Sequence, residues 1–138
     1  MATFTKIQNF VEDLGKGVHV FGTHSLKVAL AQTVTVSNAV LADITQSTGG
    51  GYAAAAVPGS VTWTETTGTA TLANGGTDLV FTASGSAITN VRYAVLYNDT
   101  PTSPADPLIG FWDYGSNINV ADGETFTVNF GASILTVA

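Results

Sequence analysis

His19 and His24 are the only histidines in the chain, and they stand five residues apart in the glycine-flanked string GKGVHVFGTHS. A zinc or general-base role would need a third ligand or a carboxylate held beside them. The sequence carries no HExxH pattern and no cysteine, so structural or solvated histidines are expected. Apart from the adjacent Glu12 and Asp13, the ten acidic residues are scattered singly. Asp113 and Glu124 lie on or near aromatic strands, and Glu65 stands beside Trp63, which makes them the candidates for a glycosidase-type carboxylate pair held roughly 5–10 Å apart. Asp99, Asp106 and Asp122 have the setting of turn formers. Asn98, Asp99 and Asp106 could gather around calcium, but the EF-hand spacing is absent and Pro101, Pro104 and Pro107 stiffen the segment. Gly49-Gly50-Gly51 follows no convincing strand and lacks the lysine of a phosphate-binding loop. The expectation is a non-enzymatic chain with no metal and no cofactor.

Composition narrows the partners. Hydrophobic residues make up 45% of the 138 residues and charged residues 10%, against roughly 25% charged in ordinary soluble domains. Such a chain can fill one core, and its surface must be rich in Thr, Ser, Asn and Ala. Burying that surface against another protein strands few charges. The net charge is −6, and the four basic residues are Lys6, Lys16, Lys27 and Arg92. Phosphate backbones are gripped by clustered cations, so no nucleic acid is expected as a direct partner. No apolar run reaches the roughly 20 residues of a membrane span. The opening MATFTKIQNFVEDL lacks a basic start followed by an apolar stretch, so synthesis in a cytoplasm without secretion is expected.

The elements follow from periodicity. Ile7, Phe10, Val11 and Leu14 fall at helical spacing, which predicts one short N-terminal helix over residues 4–14 within a 1–17 segment. Thr3 or Thr5 would cap it, and Gly15 would end it. Strands are predicted over 25–31, 61–67, 69–73, 78–83, 91–98, 108–114, 124–130 and 133–137, separated by Gly, Asn, Asp and Pro. Residues 38–44 fit either a short helical turn or a strand. The segment 46–60, QSTGGGYAAAAVPGS, reads as a flexible Gly/Ala-rich loop. About eight strands at this spacing predict an all-β fold, a single-domain antiparallel β-sandwich or jelly-roll-like domain spanning 1–138.

Contact residues are expected where an apolar side chain stands on an element that could reach a neighbour. Phe4 and Phe10 would project from the helix, and Tyr52 and Val57 from the loop. In FWDY, Phe111 and Asp113 point to one side of a strand and Trp112 and Tyr114 to the other. One aromatic face must then be core, while Trp112 could lie at an interface. Arg92 is expected at a strand end, bonded to an acidic residue or a carbonyl.

The strings MATFTKIQNFVEDLGKGVH, YAVLYNDT, PLIGFWDYG and DGETFTVNF together resemble a group of small virion structural proteins of tailed bacteriophages. The likeness covers both ends and most of the second half of the chain, and it leaves out the middle with GGGYAAAAVPGS. The resemblance implies a virion component. Within that group the expected role is a capsid decoration, or cement, protein on the capsid exterior, binding the major capsid protein and itself as a homotrimer. Many weak contacts repeated over a shell add up to large stabilisation. The alternatives are a tail, neck or baseplate component, or a carbohydrate-binding host-attachment module with Trp63 or Trp112 as a stacking platform.

Overall fold

A computed structural model describes residues 2–138. The chain forms an all-β sandwich with antiparallel strand pairing throughout and one short helix. One layer is a six-stranded sheet. It runs β1 (Phe4–Lys6), β9 (Leu108–Val120), β8 (Ile88–Asn98), β2 (Leu26–Thr33) and β3 (Thr45–Gln46), with β4 (Ala55–Ala56) also paired to β2. The other strands form two smaller sheets, β5 (Thr62–Thr66) with β6 (Thr69–Ala73) and β11 (Leu135–Val137), and β7 (Leu79–Thr82) with β10 (Thr125–Val128). All eight strands expected from alternation are present. The segment 38–44 resolves into a 3-10 turn at Leu41–Asp43.

The two long central strands explain the densest part of the sequence. Residues Leu108–Trp112 of β9 are buried in an unbroken run, as are Ala94–Asn98 of β8. Strands covered on both faces read as continuous apolar segments rather than alternating ones. Trp112 meets Phe130 at 5.5 Å and Tyr114 meets Phe126 at 4.9 Å, while Phe111 meets Tyr93 edge-on at 5.7 Å. Fully burying one such side chain contributes about 1.5–3 kcal/mol, so this ladder is a substantial part of the core.

Two expectations are corrected here. The helix α1 spans Gln8–Gly15, with Ile7 as its N-cap and no side-chain cap. Neither Thr3 nor Thr5 caps it. Phe4–Lys6 is instead a strand, with Phe4 opposite Trp112 and Lys6 opposite Gly110. Gly110 is what admits it: a Cβ at that position would lie 2.6 Å from the Thr5 carbonyl oxygen. Val11, assigned to the apolar stripe, is 61% exposed. The second correction concerns the loop 46–60. It is tied down along its length, by β3, by a Thr48–Thr89 bridge and by β4. Gly49, Gly50 and Gly51 all have positive φ, and they let the backbone pass against Ser86–Ile88 rather than serving as a hinge.

The β5–β6 hairpin turns through Thr67 (φ 53°) and Gly68 (φ 84°). Two successive positive φ values are the signature of the tight turn that matches strand twist. A β-branched residue is strained there, by roughly 1–2 kcal/mol. Thr67→Asn, which tolerates this region, is expected to raise stability by about 0.5–1 kcal/mol, read as an upward shift in the urea midpoint with unchanged slope.

Candidate functional site

The five residues expected at a partner interface are placed mostly in the core. Phe10 is fully buried, and Val57 and Trp112 are also buried, so none of the three is available at the surface of the folded chain. Phe10 packs beside His19 and Phe21, and Trp112 lies between Phe4 at 4.8 Å and Phe130. The reason is β9 itself: both its faces are covered, which single-strand alternation does not reveal. Tyr52 turns inward, where its hydroxyl accepts from the Leu30 amide (2.9 Å) and donates to Gln46 Oε1 (2.8 Å). Burial pushes its phenol pKa up to about 12. Tyr52→Phe would leave the Leu30 amide without an acceptor, at an expected cost of about 1–2 kcal/mol in denaturant unfolding. Of the five, Phe4, on the edge strand β1, and Tyr52 stay half-exposed.

The histidines form a built polar node that includes a residue the sequence did not flag for it. Asn98, at the end of β8 and fully buried, places Nδ2 3.2 Å from His19 Nδ1 and 2.9 Å from His24 Nδ1. Its Oδ1 accepts from the Thr100 amide at 3.2 Å, which fixes the orientation of the side-chain amide. An amide nitrogen only donates, so both Nδ1 atoms accept and both rings carry their proton on Nε2. His19 is buried and stacked on Phe21, and its Nε2 has no hydrogen-bond partner. Burial lowers its pKa to about 4, against the opposing pull of Asp13 and with a further push from His24. His24 is half-buried and lies on the rim of a shallow groove of ≈ 480 Å³ with Lys16 and Thr100–Ser103.

The carboxylates are largely engaged in holding the fold. Asp113 takes a two-point contact from Arg92 (Nε–Oδ1 3.0 Å, Nη2–Oδ2 3.1 Å) and also accepts from the Gly115 amide. These hydrogen bonds hold its carboxyl below the ordinary range. Arg92 therefore lies within β8, bonded across to β9, rather than at a strand end. Asp43 accepts from the Ala39 and Val40 amides, Glu65 from Gly68, and Asp122 from Gly85. Asp99 pairs with Lys27 at 3.1 Å, and Glu12 with Lys16. Among the described residues, no group of three or more His, Asp or Glu side chains is placed to hold a metal ion.

Comparison with family models, curated proteins and solved structures finds no match. The surface itself therefore carries the functional reading. One of its features is a groove of ≈ 390 Å³ between two sheet edges, lined by Phe4 and Lys6 of β1 and by Ser133–Thr136 at β11. β1 ends the six-stranded sheet and β11 ends the three-stranded one, so each has one side without a strand neighbour. Lys16, Lys27 and Arg92 each pair with a carboxylate. Lys6 is the one cation that forms no ion pair among the described residues, and it stands on this groove.

Proposed function

We propose that this chain is a non-enzymatic structural protein of a bacteriophage virion, acting by protein–protein contact, with capsid decoration as its role. The observation that supports this reading best is the economy of charge on a sandwich whose polar side chains are used internally. Arg92, Lys16 and Lys27 are paired, and Asp43, Asp113, Glu65 and Asp122 bind backbone amides. What remains outward on β5 and β10 is chiefly threonine, a surface that can be buried against a neighbour at small desolvation cost. The major capsid protein and further copies of the chain, as a trimer, are the partners this role needs. Repetition over a shell converts individually weak contacts into strong retention.

Densitometry of purified particles tests the role. A ratio to the major capsid protein near one to one is expected for a shell-covering protein. A ratio of a few per cent would move the chain to the tail, neck or baseplate.

The carbohydrate-binding alternative is weakened by Trp112. A stacking platform must be open on one face, and this indole is 5% exposed. Trp63 is half-buried against Phe21 at 5.0 Å. Glycan titration is therefore expected to leave tryptophan fluorescence unchanged, and a saturable shift would revive the attachment-module reading.

A further inference from the structure

The hydrogen-bond parity of β1 says which of its backbone groups are free. In an antiparallel ladder, residues alternate between those that bond the neighbour and those whose N–H and C=O point away from it. The Ile7 amide bonds the Ile109 carbonyl at 3.0 Å, which continues the register Phe4↔Trp112, Thr5↔Phe111, Lys6↔Gly110. Ile7 and Thr5 therefore face β9. Phe4 and Lys6 direct their amides and carbonyls the other way, and these are the two β1 residues that line the groove toward β11.

We propose that this edge is a strand-addition site, which takes an extended segment of a partner protein bearing a carboxylate beside Lys6. Three observations converge on that occupant. The first is the row of outward backbone groups at Phe4 and Lys6, which an incoming strand satisfies without side-chain specificity. The second is the apolar floor, made by the half-exposed Phe4 ring with Ile134 and Leu135, which suits alternating side chains of a strand. The third is Lys6, the cation left without an ion pair in a chain of net charge −6. A second copy pairing through this same edge complements it poorly. Edge-to-edge pairing of two β1 strands would place Lys6 against another Phe4, with no carboxylate at hand. The site stands on backbone geometry and does not depend on the virion reading.

Amide exchange followed by NMR, combined with selection from a random octapeptide library, tests it on the full chain. In the free protein the Thr5 and Ile7 amides are expected to be protected and those of Phe4 and Lys6 to exchange freely. Selected peptides are expected to carry an acidic residue within an alternating apolar pattern and to protect the Phe4 and Lys6 amides. Lys6→Glu should weaken these peptides at least tenfold and favour versions with lysine in place of the acid. Lys6→Pro removes the outward-facing amide together with the cation but no hydrogen bond to β9, and should abolish binding while the fold is kept. If Lys6→Pro does not fold, Lys6→Glu still decides the charge. Failure to enrich any extended peptide, equal binding to Lys6→Glu, or protection appearing elsewhere would each overturn the proposal. Enrichment of β1 sequences from the chain itself would point to self-association in its place.

Discussion

Gly50→Ala is expected to cost about 3 kcal/mol or more of folding stability, combining backbone strain with overpacking. Gly50 is buried and has φ 59°, a region that L side chains rarely adopt. An added Cβ would meet the Ser86 carbonyl oxygen at 2.8 Å and Ile88 Cγ1 at 2.7 Å. The first obstacle is backbone of the neighbouring segment and cannot rotate away. Gly50 is also bonded on both sides: its amide donates to Ser86 Oγ (2.9 Å), and its carbonyl accepts from the Ser84 amide (3.0 Å). Relief by moving the loop would thus break the tie between residues 48–52 and the start of β8. The measurement is urea unfolding of the variant beside Gly51→Ala, whose Cβ meets nothing closer than 3.8 Å. Gly51 also has positive φ, so the pair share the conformational cost of roughly 1 kcal/mol and differ in the collision. Equal losses in the two variants would mean that the loop is not packed as described.

That glycine run also shows where sequence reading stops. Three consecutive glycines look like a hinge because composition reports conformational freedom and not what the backbone passes. The reason for glycine here is Ser86–Ile88, far away in the chain. β1 was missed for the same kind of reason. Ile7, Phe10 and Leu14 keep helical spacing with the position of Phe4 one step further back, while the partner that makes Phe4–Lys6 a strand is β9, near the other end of the chain. Strands bounded by Asn-Gly, Asp-Gly or Pro were legible because alternation and turn chemistry are local. Contact residues were not. Apolar type selected Phe10, Val57 and Trp112, and the helix, the loop and β9 each turn these side chains into the core. The groove at β1 had one local sign, a lysine without an acidic neighbour, but its meaning depends on backbone parity. Asn98 reads as the end of a strand and as one of three residues that could gather around calcium, and nothing near it in sequence announces two imidazoles arriving from residues 19 and 24.

Those imidazoles set the second large expectation, which is acid lability. His19 has a folded-state pKa lowered to about 4 from an ordinary 6.5. Between these values the unfolded chain binds a proton that the folded chain refuses, so stability must fall as the pH is lowered through this window and recover as it is raised. The loss should reach about 2 kcal/mol by pH 5 and about 3 kcal/mol by pH 4, at 1.36 kcal/mol per unit. The geometry gives the cause. Protonation would add an N–H at Nδ1 facing the Asn98 amide donor, inside a ring stack with Phe10 and Phe21. Asp13 on α1 is the acidic group that eases the charge, and it is outweighed by burial. The carboxylates held low, on Asp113, Asp43 and Glu12, start from ordinary values of 3.8 to 4.5. Their own contributions are therefore lost only below that range, which leaves pH 5–6.5 to His19. Urea midpoints at half-unit steps from pH 7 to 5 measure the slope. His19→Gln, which cannot take up a proton, should flatten it, whatever its absolute stability. A wild-type midpoint that does not move across this window would mean that His19 is not held neutral. Asn98→Asp provides the opposite sign: a carboxylate facing both Nδ1 atoms favours the charged rings, so the variant should gain on wild type as the pH falls toward 5.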